Sequence, residues 1–345
     1  MRPRRLVVDL AGTSRNWTLP EAGRTRLLDE TPEGWETIVV ADATPAALEV
    51  GSAASDEALA AAAEAEAYFG FGVTRELLLA APRLRWVHSA AAGVGRSVSP
   101  ELKASDVVFT NSSGTMGETI AEYVLAGVLH FLRGLDIAIR QGGEGRWEQR
   151  SFMGELAAVR ELCECRVVVV GTGGLGSAIA QRFTALGARC TGVRRHPDRS
   201  PPPGFERVVV LDGLEGALPE CDAVVVAAPL TESTRNVLSA RRLDCLSPRA
   251  IVVNVGRGAL LDEGALAERV TRGQIRGAVL DVFHEEPLPP DSPLWGRPGI
   301  LVTPHVAAVS PRLFWERTLD LFLENWRRYR TGAPLRNVVD KEAGY

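Results

Sequence analysis

The chain has 345 residues, 46% hydrophobic and 24% charged, which is enough for about two globular domains of ordinary size. A formal net charge of −4 and a pI near 5.9 give no overall basic field, so nucleic acid and membrane surfaces are excluded as expected partners. The five cysteines lack CxxC spacing, which predicts buried thiols and no metal site. Asp9 interrupts the first apolar run, so no signal peptide is predicted and a cytoplasmic location is expected.

The N-terminal part of the chain alternates short apolar strands with alanine-rich helices. RLVVDL, TIVVAD and LRWVHS are typical of strands, and DEALAAAAEAEAY and TRELLLAAP are typical of the helices between them. This βαβ rhythm favours a parallel sheet covered by helices. A long apolar helix is predicted over 114–135, and the glycine-rich segment 140–155 after it is predicted to be a loop.

The same rhythm begins again at RVVVV, residues 166–170, a continuous β-branched run typical of a central parallel strand. A helix (LGSAIAQRFTAL), a strand (ARCTGV) and a proline-rich loop follow, and further apolar strands continue to ILVTPH. The pattern therefore predicts an α/β protein with two doubly wound parallel-sheet domains in succession. The C-terminal SPRLFWERTLDLFLENWRRYR predicts an amphipathic helix.

A glycine-rich turn, GTGGLG, lies between the strand and the helix that open the second rhythm. Gly171, Gly173 and Gly176 have the G-x-G-x-x-G spacing. These glycines allow a tight turn and a close approach of the backbone to a pyrophosphate, and the following helix N-terminus supplies N–H groups and a positive dipole. With Gly174 and Leu175 inside it, the turn is predicted to bind a dinucleotide; a tight turn without a ligand is the structural alternative.

Two cations, Arg194 and Arg195, follow the second strand after this turn. An NAD-binding unit usually carries an Asp or Glu there for the adenine ribose. Guanidinium groups pair instead with a 2′-phosphate, so NADP(H) is favoured and NAD(H) stays possible. His196 and Arg199 are candidates for the same pocket. A solvated surface pair is the alternative interpretation.

Three later strand ends carry an arginine, carboxylates and an imidazole. Arg257 follows AIVVNV, Asp281 and Glu286 follow GAVL, and His305 ends ILVTPH. Because open α/β sheets bind ligands at the carboxyl ends of their strands, these groups are predicted to meet in one crevice. A guanidinium can bind a carboxylate, and an imidazolium held by a carboxylate can donate a proton, which suits hydride transfer to a 2-oxo acid. Taken singly, each residue has an ordinary structural explanation.

Together these motifs resemble the D-isomer-specific 2-hydroxyacid dehydrogenase family, most specifically over 221–295 and the following TPHVAAVS. The resemblance implies that Arg257 binds and activates the substrate, that His305 is the acid/base and that Glu286 is its partner. It also implies that Asp281 lies near the nicotinamide carboxamide. Further cofactor contacts are implied for Ala228, Pro229 and Val255.

An earlier segment, SAAAGVGR, resembles the family loop that binds the substrate carboxylate. The resemblance assigns this binding to the backbone N–H groups of Val94 and Gly95. Gly95 stands where the family often has Asp, and Arg96, which follows it, is interpreted as facing solvent. Backbone recognition is expected to survive that change.

The resemblance also implies a domain organisation and an oligomer. Residues 1–105 plus 312–345 are expected to form a flavodoxin-like substrate domain, and residues 106–311 a Rossmann dinucleotide-binding domain. Members of the family commonly dimerise through the cofactor domain, so a homodimer is expected, with the helix at 114–135 in the interface.

The implied activity is oxidoreduction: a hydride passes between NAD(P)H and a small-molecule 2-oxo acid to give the D-2-hydroxy acid. NADPH preference resembles the glyoxylate/hydroxypyruvate reductase branch of the family. AYFGFGVTRE presents Phe69 and Phe71 and no arginine before Arg75, which favours a small or apolar acid without a phosphate. Four further rings are interpreted as core or interface residues: Trp86, His88, Trp315 and Trp326.

Two other functions fit parts of the sequence. A non-catalytic dinucleotide-sensing protein of the same fold would keep the glycine-rich turn and could keep the catalytic residues. A Rossmann methyltransferase that uses S-adenosylmethionine would have no need for the arginine, glutamate and histidine at three later strand ends.

Overall fold

The computed structural model describes residues 3–12, 17–42, 54–95, 97–153, 159–195 and 200–344. Its strands, in chain order, are β1 (Arg4–Asp9), β2 (Trp35–Val39), β3 (Ala67–Gly70), β4 (Trp86–Ser89), β5 (Val108–Asn111), β6 (Arg166–Val170), β7 (Arg189–Val193), β8 (Arg207–Val209), β9 (Ala223–Val226), β10 (Ile251–Asn254), β11 (Gly277–Leu280) and β12 (Ile300–Val302). Its α-helices are α1 (Glu21–Asp29), α2 (Asp56–Ala62), α3 (Arg75–Ala80), α4 (Pro100–Ala104), α5 (Gly117–Leu132), α6 (Leu135–Gly143), α7 (Gly174–Ala185), α8 (Leu214–Ala217), α9 (Ala240–Leu243), α10 (Glu263–Thr271) and α11 (Leu313–Thr331).

The chain divides into two compact units, residues 1–115 with 310–345 and residues 116–309. The first unit contains a five-stranded sheet in the order β2-β1-β3-β4-β5, and the second a seven-stranded sheet in the order β12-β11-β10-β9-β6-β7-β8. All strand pairs in both sheets are parallel. The predicted fold class is therefore confirmed, and the order of the first sheet is the flavodoxin-like one.

In the first unit, the sheet buries both of its faces. One face packs on α2, α3 and α4 through apolar side chains that include Val87 and Phe109. These two residues pair between β4 and β5, so β5 belongs to the sheet of the first unit. The other face packs on α11, where Phe322 stacks on Phe69 at 4.0 Å between ring centroids and on Trp86 at 5.5 Å.

This packing corrects one expectation about the substrate. Phe69 is fully buried in the aromatic stack, whereas Phe71 is only partly buried. Phe69 lies inside β3, where both faces of the sheet are covered, and Phe71 lies beyond the end of the strand. The interpretation of Trp86 and Trp326 as core residues is confirmed, since both are fully buried.

In the second unit, successive strand residues point to opposite faces and are buried on both. Val167 and Val169 of β6 belong to the core under α5 and α7, while Val168 and Val170 belong to the core under α8, α9 and α10. The helix predicted over 114–135 is in fact two helices, because Gly134 has a φ of 67° that ends the first. The second, α6, continues through Gly143 into the segment predicted to be a loop.

The cysteines follow the prediction only in part. Cys165, Cys190 and Cys221 are buried, and burial raises the pKa of the Cys190 and Cys221 thiols to about 12. Cys163 is exposed and Cys245 half-buried, so the prediction of buried thiols is wrong for these two.

In the part of the chain that the structure describes, no helix has the combination of length and apolar character needed to cross a bilayer.

Candidate functional site

In the second unit, the predicted site residues follow the carboxyl ends of six neighbouring parallel strands. Because adjacent strands lie about 4.8 Å apart, the residues form a continuous row along one edge of the sheet. In order across the sheet the row consists of Arg194 and Arg195 after β7, the glycine turn after β6, Ala228 and Pro229 after β9, Val255 and Arg257 after β10, Asp281 and Glu286 after β11, and His305 after β12. The strand order reverses between β6 and β9, which is where open α/β sheets bind their ligands.

The glycine turn depends on the small size of two of its residues. Gly171 has a φ of 102°, and a Cβ there would lie 2.7 Å from the carbonyl oxygen of Ala227, which follows β9. A Cβ on Gly176 would overlap the carbonyl oxygen of Gly171. At Gly173, by contrast, a Cβ would meet no atom within 4 Å. Two glycines are thus required by the fold, and the third opens space beside the turn.

Helix α7 begins at this turn without a side-chain cap. Its N-cap residue is Gly173, and both Gly173 and Gly174 are exposed. Other helices of the protein have side-chain caps, supplied by Ser55, Thr74, Ser99 and Asp262. The first N–H groups of α7 are therefore available to an anion, and the open space at Gly173 fits the pyrophosphate of a dinucleotide.

Arg194 and Arg195 stand directly after β7. The backbone N–H of Arg194 donates to the carbonyl oxygen of Val209 at 3.0 Å, which fixes the start of the segment, and its Nη2 donates to the carbonyl oxygen of Ser200 at 3.3 Å. Arg195 is exposed. The other two residues suggested for this pocket, His196 and Arg199, lie outside the described residues.

A histidine and a glutamate form a pair at the far end of the row. His305 Nδ1 lies 2.7 Å from Glu286 Oε2, and the backbone N–H of Phe283 donates to Glu286 Oε1 at 2.9 Å. Burial alone would raise the pKa of Glu286, but the hydrogen bonds from His305 and Phe283 lower it by more. The pKa therefore lies below its ordinary value, and the carboxylate is ionised. The side chains of His305 and Glu286 remain 49% and 36% exposed, so the pair is open to solvent.

Arg257 lies on a turn that Asn254 fixes from the end of β10. The buried Asn254 side chain accepts from the N–H of Gly256 at 3.1 Å and donates to the carbonyl oxygen of Arg257 at 3.0 Å. Surrounding protein lowers the pKa of the Arg257 guanidinium, while the charge of Glu286 raises it. The arginine keeps exposed surface and stays charged, because guanidinium groups do not deprotonate in proteins. A cation therefore stands beside the histidine–glutamate pair.

Asp281 is 2% exposed, and both of its carboxylate oxygens are used by the segment that carries His305. Oδ1 accepts from the Thr303 hydroxyl at 2.6 Å and from the N–H of Val306 at 2.8 Å, and Oδ2 accepts from the N–H of Ala307 at 2.9 Å. The Tyr123 hydroxyl of α5 lies 2.6 Å from Thr303 Oγ1. Sequence reasoning missed Thr303, although it stands two residues before His305, and Tyr123 has no signal in the sequence.

The predicted carboxylate loop of the first unit follows β4. The Val94 side chain is buried in the core of that unit, whereas a Cβ on Gly95 would meet no atom within 4 Å. Asn111 Nδ2 donates to the carbonyl oxygen of Ala92 at 2.7 Å and fixes the loop from β5. Arg96 lies outside the described residues. The loop is thus held at its base and open at Gly95.

Aromatic side chains lie next to this loop. Phe71 follows β3, the strand beside β4, and its ring contacts Trp17 at 6.3 Å and Trp315 at 6.0 Å between centroids. Trp17 also contacts Phe314 of α11 at 5.2 Å. Trp315 is buried, as the sequence suggested for a core residue, whereas Trp17 and Phe71 are half-buried. The first unit therefore presents an apolar edge after β3, the strand beside β4.

Comparison with known proteins gives a consistent family. Residues 125–307 match the NAD binding domain of D-isomer specific 2-hydroxyacid dehydrogenases. The chain is 32% identical to the (S)-sulfolactate dehydrogenase of Chromohalobacter salexigens over 74% of this chain and 81% of that protein. It is also 32% identical to glyoxylate/hydroxypyruvate reductase A of Salmonella newport, over 78% of this chain and 84% of that protein.

Solved structures agree over almost the whole chain. A D-isomer specific 2-hydroxyacid dehydrogenase from Xanthobacter autotrophicus Py2, in complex with NADPH and MES, is 30% identical with a TM-score of 0.79 and covers 99% of this chain and 100% of its own. An NADPH-dependent glyoxylate/hydroxypyruvate reductase from Sinorhizobium meliloti, in complex with NADP and sulfate, is 27% identical with a TM-score of 0.78 and the same coverage.

Proposed function

The chain belongs to the D-isomer-specific 2-hydroxyacid dehydrogenase family and is an NAD(P)-dependent oxidoreductase, and on that premise we propose that it reduces small or apolar 2-oxo acids to D-2-hydroxy acids with NADPH as the preferred cofactor. The observation that carries the proposal is the His305–Glu286 pair beside Arg257 at neighbouring strand ends. An acid, its orienting carboxylate and a cation are the groups that reduction of a 2-oxo acid requires.

Each of the three residues has a separate task. Arg257 binds the substrate carboxylate and polarises the carbonyl, which favours negative charge on its oxygen. His305 donates the proton from Nε2 to that oxygen, while Glu286 holds the ring through Nδ1 and stabilises the imidazolium. When bound, the nicotinamide would supply the hydride that forms the C–H bond at the carbonyl carbon. One hydride and one proton convert the carbonyl to a hydroxyl, and His305 is left neutral.

The cofactor is held by the row of strand ends. We assign its pyrophosphate to the N–H groups at Gly173, Gly174 and Leu175, because the space beside Gly173 is open and α7 has no side-chain cap there. Further contacts along the row come from Ala228, Pro229 and Val255, which follow β9 and β10 between the glycine turn and the catalytic pair.

Preference for NADPH rests on Arg194 and Arg195. They stand after β7, where an acidic side chain would otherwise accept from a ribose 2′-hydroxyl. Two related proteins named above bind NADPH or NADP, which supports the assignment. We expect Arg194→Asp to lower the NADPH/NADH ratio of kcat/KM about tenfold or more, because it removes a charged partner of the 2′-phosphate. Initial rates with both cofactors measure this ratio, and an unchanged ratio contradicts the assignment.

Apolar substrates are supported by the first unit. We assign the substrate carboxylate to the N–H groups of Val94 and Gly95 and its side chain to the edge formed by Phe71 and Trp17. Gly95 and Phe71 follow neighbouring strands, β4 and β3, so one small molecule can contact both. The described part of this edge presents rings rather than arginines, which suits an acid without a phosphate.

We propose further that the protein is a cytoplasmic homodimer. Several apolar side chains on α6 and after it are exposed: Leu135 by 49%, Ile139 by 68%, Trp147 by 91% and Met153 by 65%. An apolar surface of this kind is typical of an interface between subunits. Light scattering after gel filtration tests the dimer, and Ile139→Asp is expected to convert it to a monomer.

The cytoplasmic location is supported by the cysteines, because the protonated, buried thiols of Cys190 and Cys221 suit a reducing compartment.

Initial rates of NADPH and NADH oxidation with glyoxylate, hydroxypyruvate, pyruvate and phenylpyruvate test the proposed function. Turnover with NADPH well above NADH, and with an apolar acid at least equal to glyoxylate, is the expected result. Equal use of both cofactors would mean that Arg194 and Arg195 are surface charges that do not bind the 2′-phosphate. Cofactor binding without turnover of any acid would favour the dinucleotide-sensing alternative.

A further inference from the structure

We propose that Tyr123, Thr303 and Asp281 form a positioning network that fixes the backbone carrying His305. The proposal rests on the proposed function for the catalytic role of His305 but not for the geometry of the network. None of the three residues has to touch the substrate for the network to act.

The first link of the network follows from strand register. Leu280 of β11 pairs with Val302 of β12, so the residues after them, Asp281 and Thr303, are neighbours at the sheet edge. The Thr303 hydroxyl donates to Asp281 Oδ1 at 2.6 Å. The backbone N–H of His305 donates to the carbonyl oxygen of Asp281 at 2.9 Å. Both the backbone and the side chain of Asp281 therefore bind the segment that carries His305.

This segment needs such support because of its conformation. His305 has a φ of 54°, a left-handed backbone that residues other than glycine rarely adopt. The two following N–H groups, of Val306 and Ala307, converge on opposite oxygens of Asp281 at 2.8 Å and 2.9 Å. A buried carboxylate that accepts three hydrogen bonds on one side of the turn holds that turn in place. The direction of the His305 ring towards Glu286 depends on the same backbone.

Tyr123 completes the network from helix α5. Thr303 has a single hydroxyl proton, which it gives to Asp281, so Tyr123 must be the donor to Thr303 Oγ1. The pKa of Tyr123 is raised to about 12. Burial is the main cause and the charge of Asp281 adds to it, while the hydrogen bond with Thr303 acts in the opposite direction, so the phenol keeps its proton. The chain of donors therefore runs in one direction, from Tyr123 through Thr303 to Asp281.

The position of α5 explains how a helix far away in sequence reaches this edge. A Cβ on Gly127 would lie 2.8 Å from Val279 Cγ1 of β11, so the helix packs directly on that strand. Tyr123 lies one turn earlier on the same face of the helix. It therefore projects towards the end of β12, where Thr303 is found.

The family resemblance also implies contact of Asp281 with the nicotinamide carboxamide, and the network does not exclude that contact. Thr303, Val306 and Ala307 use three of the roughly four acceptor positions of the carboxylate, and Oδ2 accepts only one of these bonds. Thr303→Val and Tyr123→Phe leave the carboxylate in place, so they test the network separately from any cofactor contact of Asp281.

The test compares Thr303→Val, which keeps the shape of threonine without its hydroxyl, with Thr303→Ser, which keeps the hydroxyl. Tyr123→Phe and Asp281→Asn test the two ends of the network. Amide hydrogen exchange at Val306 and Ala307 in the free enzyme, the Kd for NADPH and kcat are measured for each, and thermal unfolding confirms the fold. The exchange measurement requires no turnover.

We expect Thr303→Val and Asp281→Asn to speed exchange at both amides and to lower kcat by about tenfold or more, because a displaced acid loses its alignment with the substrate. In Thr303→Val the Kd for NADPH should stay within about twofold, and Thr303→Ser should behave as the parent protein within the same limit. Tyr123→Phe should change exchange and kcat in the same direction by about threefold, since it removes a neutral hydrogen bond.

Two results would overturn the proposal. Unchanged exchange at Val306 and Ala307 in a folded Thr303→Val protein would show that the hydroxyl does not hold the segment. A rise in the NADPH Kd of Thr303→Val that matches its loss of kcat would show that the hydroxyl supports cofactor binding rather than the His305 segment. If Asp281→Asn does not fold, Thr303→Val and Tyr123→Phe decide alone. If the parent protein reduces no 2-oxo acid, the proposed function fails, while the exchange rates still decide whether the network exists.

Discussion

The two units use histidine in opposite ways. His305 in the second unit follows a strand end, keeps 49% of its side chain exposed and contacts a carboxylate, Glu286. His88 in the first unit lies inside β4, is fully buried and contacts two hydroxyls, those of Thr110 at 2.7 Å and Ser112 at 3.4 Å. Hydroxyls in a dry core do not stabilise a charged imidazole. Burial therefore lowers the pKa of His88 to about 3, and its imidazole is neutral.

The difference arises from position in the sheet rather than from residue type. β4 lies between two other strands, and its side chains at 86 and 88 pack on the aromatic stack with Phe69 and Phe322. The residues after β12 lie beyond the hydrogen-bonded part of the sheet, where the backbone can turn and side chains can reach solvent. Reactive groups belong at strand ends for this reason, and the same groups inside a strand become part of the core.

The largest expected effect separates the two histidines directly. His305→Ala should lower kcat by about a hundredfold or more, the low end for loss of a general acid, while the NADPH Kd and the unfolding temperature stay near those of the parent. His88→Gln should lower the unfolding temperature and leave kcat of the folded protein nearly unchanged, because His88 is buried in the core. Steady-state kinetics and thermal unfolding of both variants measure this. A collapse of NADPH affinity with normal kcat in His305→Ala would contradict the assigned role.

Two arginines of the second unit allow the same comparison. Arg257→Lys should lower kcat/KM by about thirtyfold, because an ammonium cannot bind a carboxylate with two parallel hydrogen bonds. Arg276 donates to both oxygens of Asp136, at 2.9 Å and 2.7 Å, and serves as the control. Arg276→Lys should reduce stability and leave kcat/KM unchanged. Equal losses of kcat/KM in the two variants would show that Arg257 acts only through the fold.

The neutral state of His88 predicts how stability depends on pH. The unfolded chain binds a proton to this residue below its ordinary pKa of 6.5, whereas the folded protein does so only near pH 3. Its contribution to stability is therefore complete above pH 6.5 and is lost as the pH falls. Between pH 7 and pH 5 the parent should lose about 2 kcal/mol more than His88→Gln. Urea unfolding at the two pH values measures the difference, and equal losses would mean that His88 is charged in the folded state.

Much of this organisation could be predicted from the sequence, because it depends on local pattern and strand direction. The apolar runs predicted the parallel strands, and parallel strands place their carboxyl ends at one edge. The glycine turn at 171–176, Arg257 and His305 were each predicted from the residues that follow a strand. The structure brings them into one row because the strands they follow are neighbours.

The rest depends on contacts that the sequence does not encode locally. Tyr123 and Thr303 are separated by 180 positions, and only the packing of α5 on β11 brings them together. Phe69 and Phe71 are equally aromatic in the sequence, but only the end of β3 decides which is buried. The break between α5 and α6 follows from the conformation of Gly134, which a helical pattern of apolar residues conceals.

The smallest expected effects come from two glycines that each face open space, one in each unit. A Cβ on Gly173 or on Gly95 would meet no atom within 4 Å, so an alanine at either place should leave the fold intact. Any effect must then come from a ligand that occupies the space. We expect Gly173→Ala to raise the NADPH Kd about tenfold and leave the KM of the 2-oxo acid unchanged, and Gly95→Ala to do the reverse, because a new methyl group crowds only the ligand beside it.

Gly176→Ala is the matched control, since its Cβ would overlap the carbonyl oxygen of Gly171 and the fold itself should be destabilised. Thermal unfolding separates this variant from the other two. If Gly173→Ala and Gly95→Ala raised the same constant, the separate assignment of the two glycines would be wrong. If each raises its own constant, Gly173 lies beside the bound cofactor and Gly95 beside the bound 2-oxo acid.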